Sequence, residues 1–293
     1  MKRRLLHLLN ILVGVVAVGG FALYAIRMAK TVDMRHLAEG PAVLGIAAMA
    51  VASALIIPIS AFAWKHLLDS CGVHAHWGGL ARIMGVTQLG KYLPGNIAQH
   101  IGRLGMSVKA GIPSLPFAST VLSETVLAIL AAVVFGTLAC VAGGMGSVTL
   151  PLGGPTSGFA TLPLLLAVAA AALLAVLASA RLIRMIARRR MRGETIAVPG
   201  TRALLLAFIC YITNYVALSA GVAVLSGVLL PDPPSAWVLT GAFALSWILG
   251  FLLPGAPAGL GVREAAMLGI LQAAGYGADL LPFVIGLRVA TTL

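Results

Sequence analysis

Leu93-Pro94-Gly95, with Arg103 nine residues after the proline, returns later in the chain as Leu253-Pro254-Gly255, with Arg263 at the same distance. A proline inside an apolar run removes a backbone donor and breaks a helix. The glycine behind it lets the backbone turn and approach a ligand closely. A half-helix starting after such a break points unpaired N–H groups and the positive end of its dipole outward. That disposition suits phosphate or carboxylate. Broken segments recurring in the two halves of a membrane protein point to a transport site near the bilayer midplane.

The sequence around the motif is that of a membrane protein. Its 293 residues are 60% hydrophobic and 10% charged, with a mean hydropathy of +1.03, whereas soluble domains carry about 25% charged residues. A span needs roughly 20 apolar residues. Residues 5–26, 41–64, 115–142, 158–180 and 203–230 meet that requirement, and the shorter stretch 236–253 runs into the second Leu-Pro-Gly. Residues 5–26 follow Met1-Lys2-Arg3-Arg4 but are long enough to span and lack a clear cleavage site, so they read as a retained first helix.

The net charge of +12 is concentrated: seven of the twenty Lys and Arg lie between Arg181 and Arg202, and the first four residues hold three more. The positive-inside rule places the N-terminus and the basic loop 181–202 in the cytoplasm. Uncharged residues 143–157 and the turn Pro231-Asp232-Pro233-Pro234 fit the opposite side. No soluble segment is large enough for a nucleic-acid fold, so the expected partners of the basic loop are anionic lipid headgroups. Cys71, Cys140 and Cys210 are isolated and imply neither a disulfide nor a metal framework. His74-x-His76 has no third ligand nearby and reads as an interfacial loop. No phosphate-binding loop, HExxH or GxSxG pattern is present, so no metal, cofactor or catalytic residue is expected.

Residues 77–116 contain Arg82, Lys91, Arg103 and Lys109 and no apolar run of spanning length. They read either as a cytoplasmic loop or as two half-helices meeting at Pro94-Gly95. Long structureless loops are uncommon, and irregular backbone at membrane depth survives only when buried in protein or lining a wet cavity. The half-helix reading therefore fits better. Counting spans from a cytoplasmic N-terminus, 236–253 begins outside, breaks at Pro254-Gly255-Ala256-Pro257 and is followed by 260–274. The expectation is an all-α integral membrane protein, a polytopic helical bundle with two re-entrant, broken helix pairs related as an inverted repeat. A single transmembrane domain covers 1–293, with a first repeat over about 41–142 and a second over about 203–293. Full crossing by 236–253 in a simple even-numbered bundle is the alternative. Residues 280–293 contain Arg288 and are too short to span. Either the natural chain continues past Leu293, the reading favoured here, or this is another half-helix.

A charge in the hydrocarbon region costs roughly 3 kcal/mol or more, which singles out Arg103, Glu124, Arg263, Glu264 and Arg288. The expected pairings are Glu124 with Arg263, and Glu264 with Arg103 or Arg288. Competing readings have Arg103 snorkelling to the interface and Glu124 held by its Ser and Thr neighbours. The expected substrate-binding set is Lys91, Asn96 (as N-cap), Gln99, His100, Arg103, Glu124, Arg263, Glu264 and Arg288, with breaks at Pro94, Gly95, Pro254, Gly255, Gly259 and Gly261. The two arginines and two helix starts together would hold an anionic headgroup. Trp64, Trp77 and Trp237 read as interface anchors. Asn214, between Tyr211 and Tyr215, either lines a cavity or bonds a neighbouring helix. The 34 glycines allow close helix approach and make a homodimer plausible.

Lys91-Tyr92-Leu93-Pro94-Gly95-Asn96 leading to Gly102-Arg103, and Pro254-Gly255 followed by Gly259-Leu260-Gly261-Val262-Arg263-Glu264, resemble the hallmarks of the lysylphosphatidylglycerol synthase transmembrane (flippase) domain family. The second copy departs in Ala256-Pro257-Ala258, where a glycine-rich run is usual. The resemblance covers nearly the whole chain and implies a stand-alone member without the synthase domain. It implies a multi-pass protein of the bacterial inner (cytoplasmic) membrane. The function so expected is that of a flippase-like transporter. It would translocate an anionic or zwitterionic lipid, a phospholipid or polyprenyl-linked sugar, through a charged midplane site. The alternatives are a membrane-embedded lipid-modifying transferase and a non-catalytic partner subunit of a lipid or glycan assembly complex.

Overall fold

The computed structural model describes residues 40–88, 97–145, 198–252 and 257–292, with scattered helical positions between 167 and 180. Among the described residues the chain is helical and contains no strand. Every peptide group inside an α-helix bonds within its own segment, the condition that lipid imposes. The helices in chain order are α1 (Gly40–Ala54), α2 (Ile56–Ser70), α3 (Trp77–Thr87), α4 (Ile97–Lys109), α5 (Ser114–Ala142), α6 (Thr201–Leu229), α7 (Ala236–Leu252), α8 (Val262–Ala273) and α9 (Leu281–Thr292).

Three of these rods are long and apolar enough to cross a membrane: the continuous α1–α2 segment Gly40–Ser70, α5 and α6. They coincide with sequence spans 41–64, 115–142 and 203–230, and α7 with 236–253. The two helices of the first rod meet at Leu55, just before Pro58, whose ring nitrogen cannot bond the carbonyl four residues back. Trp77 at the start of α3 donates its Nε1 to the Pro58 carbonyl oxygen at 3.0 Å, tying the next element to that junction. Large apolar side chains such as Leu44, Leu115 and Leu122 stand on the outside, as they do where the surrounding solvent is lipid.

The bundle is held by close helix crossings. The helix pair α5·α7 meets through glycine: a Cβ on Gly241 would lie 2.7 Å from Cys140 Sγ and 2.9 Å from the Gly136 carbonyl oxygen. Helix α1 meets α6 where Gly221 faces Met49 and Ala52. The main core joins α1, α2, α5, α6, α7, α8 and α9. A second cluster, with Trp64, Leu80, Ile83 and Phe117, joins α2, α3 and α5 near α4. Cys71, Cys140 and Cys210 are free and buried.

The segment 77–116 is not a structureless loop: α3 and α4 flank the first Leu-Pro-Gly and contact one another, as α7 and α8 do around the second. The tripeptides themselves, the first span 5–26, most of 158–180 and the basic residues 181–197 lie outside the described residues. The chain is therefore a polytopic, all-helical membrane protein.

Candidate functional site

The first charged cluster is built from three helices. Helix α4 carries Arg103, only 4% exposed, and α5 carries Glu124 about two turns beyond Phe117. Arg103 Nη1 donates to Glu124 Oε1 at 3.1 Å and Nη2 donates to Oε2 at 2.6 Å. This is the two-pronged geometry that makes guanidinium the preferred partner of a buried carboxylate. Beneath it α2 places Trp64, whose ring centre lies 3.9 Å from the Arg103 guanidinium carbon. Trp64 in turn donates Nε1 to Thr120 Oγ1 at 3.1 Å. Trp64 is fully buried, so it is the floor of the cluster and not the interface anchor that its sequence position suggests. Trp77 and Trp237 remain exposed. The burial of Arg103 also sets aside the snorkelling alternative.

The second cluster lies around the second break. Ala258, Gly259 and Gly261 all have positive φ (51°, 68° and 80°), so the turn into α8 is left-handed at three positions, one of them a non-glycine residue. Glu264 Oε2 accepts the Gly261 N–H at 2.7 Å, one arm of a capping box. Its other oxygen pairs with Arg288 Nη1 of α9 at 3.3 Å. The same nitrogen donates to the Ala258 carbonyl oxygen at 3.3 Å. Arg288 thereby ties α9 to the turn and to the start of α8.

The expected pairings need correction. Glu124 takes Arg103, not Arg263, because α4 and α5 bring the first pair face to face. Glu264 takes Arg288, one of its two anticipated partners. Arg263 lies with its guanidinium carbon 4.7 Å from the centre of the Phe243 ring on α7, a cation–π approach. Its stem runs across Gly250: a Cβ there would lie 2.2 Å from Arg263 Cγ. The expectation that the second helix start binds an external anion is also altered. The chain's own Glu264 already occupies the Gly261 N–H.

One cavity of about 500 Å³ collects these groups. Gln99, His100, Arg103, Glu124, Arg263 and Arg288 line it, whereas Glu264 is buried behind Arg288 and is not among the lining residues. Lys91, Asn96, Pro94, Gly95, Pro254 and Gly255 lie outside the described residues. The lining also includes Tyr211, Asn214 and Tyr215 of α6. Asn214 fulfils both of its anticipated roles, since its Nδ2 donates to Ser60 Oγ at 3.1 Å while the residue lines the cavity. Trp64, Tyr211, Phe243 and Gly250 were not singled out as site residues by the sequence. The one available signal was the spacing of Tyr211, Asn214 and Tyr215, which puts all three on one helix face.

The histidines near α3 have structural duties. His76 Nδ1 accepts the Gly78 N–H at 3.2 Å as the cap of α3, and His74 pairs with Asp69 at 3.0 Å. No group of three or more metal-ligating side chains occurs among the described residues.

A search of curated proteins yields no match. The family model for the lysylphosphatidylglycerol synthase TM region matches residues 10–293. A match over essentially the whole chain, on a helical membrane bundle in which Arg103 and Arg263 line one charged cavity, means that this chain belongs to the family of the lysylphosphatidylglycerol synthase TM region.

Proposed function

We propose that the protein is a flippase-like transporter of the bacterial inner membrane that moves an anionic or zwitterionic lipid, a phospholipid or polyprenyl-linked sugar, between leaflets. The observation that carries this reading is a cavity of about 500 Å³ lined by both Arg103 and Arg263, one from each copy of the motif. Its volume falls in the range of about 300–1,000 Å³ of small-molecule sites. A headgroup needs only such a polar chamber, because the acyl chains stay in the bilayer while the headgroup crosses.

The pairs α3·α4 and α7·α8 would act as re-entrant elements of an inverted repeat, entering from opposite leaflets and meeting at the cavity. The N-terminus and the basic loop 181–202 would face the cytoplasm, the loop resting on anionic headgroups. Arg103 and Arg263 both line the cavity, and Arg263, half-buried there, is assigned the first contact with phosphate.

Purified protein in liposomes is expected to move acyl-labelled phospholipid between leaflets and return it with unchanged mass. Arg263→Ala should slow that movement on the order of tenfold, the effect of about 1.4 kcal/mol of lost interaction, with the melting temperature preserved. A product of altered mass would replace transport with lipid-modifying catalysis. No movement and no modification would leave the role of a partner subunit.

A further inference from the structure

Helices α4 and α8 carry the two motif arginines and are attached to the bundle in different ways. The buried side chains of α4 are polar, Arg103 and Ser107. Its apolar side chains Ile101, Leu104 and Val108 are exposed, and Met106 is only partly buried against the second cluster. Helix α8 buries Met267, Leu268, Ile270 and Leu271 in the main core. Lipid gives apolar side chains no reason to leave it, so helices in a membrane are held by packing and by polar bonds. Helix α8 has the packing. Helix α4 relies on the polar bonds, the two-pronged contact of Arg103 with Glu124 over Trp64.

That contact is opposed from the same helix face. Arg103 Nε and Ser107 Oγ, one turn apart, are buried with no hydrogen-bond partner among the described residues. Unpaired buried polar groups cost free energy, which is returned when the face opens to water. The C-terminal end of α4 has the means to turn. Gly111 follows it at φ 81°, and nothing beyond its chain neighbours lies within 4 Å of where a Cβ would stand. Ile112, the next residue, is buried in the second cluster together with Phe117 of α5. A swing has to stretch the bond from the Ile112 N–H to the Ser107 carbonyl oxygen, 3.0 Å long. Hinges consist of a few such element-terminal residues. Gln99, His100 and Arg103 of α4 line the cavity, so turning about Gly111 moves a cavity wall.

We propose that α4 is a gate to the cavity, hinged at Gly111 and latched by the Arg103–Glu124 pair, while α8 is a fixed wall. This deepens the transport reading by naming its moving part, and the purpose of the gate rests on that reading.

The test measures distances between spin labels on the full chain in phospholipid nanodiscs. One pair of labels is placed by Ile101→Cys on α4 and Leu138→Cys on α5. The reference pair is placed by Gln272→Cys on α8 and Leu138→Cys. All three sites are exposed, and the native Cys71, Cys140 and Cys210 are buried. Ile101 stands about 15 Å along the helix axis from Gly111, so a swing of about 20° displaces it by about 5 Å. The α4 pair should show two distances and the α8 pair one. Glu124→Gln removes the charge that holds the latch. It should raise the ratio of the second distance to the first about tenfold and leave the α8 pair unchanged. The exchanged pair Arg103→Glu with Glu124→Arg should restore the original ratio. An α4 distribution as narrow as that of α8 in the unaltered helices overturns the gate. So does a ratio unmoved by Glu124→Gln, or a broadening at both pairs. If Glu124→Gln does not fold, the comparison of α4 with α8 decides alone. Lipid crossing is scored separately. Two α4 positions in a protein that moves no lipid keep the hinge and reject the transport reading. Lipid movement with a rigid α4 keeps transport and rejects the gate.

Discussion

The two copies of the motif have the same spacing and use their arginines differently. In the first, Arg103 on the helix after the break reaches forward to Glu124 on α5 with both prongs, over the face of Trp64. In the second, the forward connection has reversed polarity: Glu264 on α8 pairs with Arg288 on α9. Arg263, the counterpart of Arg103 by spacing, lies instead against Phe243 and Gly250 at the cavity wall. The helix that carries each arginine of the motif, α4 or α8, is thus pinned to the helix that follows it by one buried ion pair. Only the second copy adds an arginine outside that pair. A repeated motif can preserve a mechanical connection while dividing charge roles between its copies.

The largest expected effect tests the first connection. Arg103→Ala leaves the Glu124 carboxylate buried without its cation, an arrangement that costs about 3–5 kcal/mol. Unfolding of the detergent-purified variant should show a loss of that size. The exchanged pair Arg103→Glu with Glu124→Arg should recover part of it. Recovery would confirm that the contact is mainly a connection between α4 and α5; a stable Arg103→Ala protein would remove the basis for contrasting the two arginines. A smaller loss is expected for Glu264→Gln. The amide oxygen can still accept the Gly261 N–H, so the cap survives, while the amide NH2 then faces the Arg288 guanidinium, donor against donor, and the ionic contact is lost. The loss should approach the value of a charged hydrogen bond, about 1.5–3 kcal/mol, in the same unfolding measurement. A penalty equal to that of Arg103→Ala would mean that the two pins bear equal weight.

The difference between the pins also shows what the sequence could reveal. Spans were legible because lipid enforces long apolar runs, and α1–α2, α5, α6 and α7 fall where hydropathy puts them. The five charges of the two clusters were legible because ionised groups are rare at membrane depth. Their pairing was not. Spacing says how far Arg103 and Arg263 lie from their prolines, but not which neighbouring helix turns a carboxylate toward each. Trp64 illustrates the same gap. A tryptophan at the end of an apolar run reads as an interface residue, whereas α2 continues to Ser70 and closes over it. Tyr211 was passed over because a tyrosine in an apolar helix reads as core until its hydroxyl is seen to lack a partner among the described residues.

The smallest effects lie in the glycines that set how tightly each helix pair closes. At Gly250 a Cβ would fall 2.2 Å from Arg263 Cγ and 3.3 Å from Gly259 Cα, so alanine displaces the arginine stem. Overpacking of this kind costs about 1–3 kcal/mol, and transport should fall as it does in Arg263→Ala. At Gly102, next to Arg103, the nearest atom to an added Cβ is Thr87 Cγ2 at 3.5 Å, an ordinary contact. Gly102→Ala should therefore be neutral or stabilise by roughly 0.5 kcal/mol through the less flexible unfolded chain. Paired unfolding and transport measurements on the two variants bear directly on the division of labour. A sharp loss at Gly250 with none at Gly102 places the sterically exacting part of the cavity beside Arg263. Equal losses would show that α3·α4 closes as tightly as α7·α8 and that the two copies are mechanically alike.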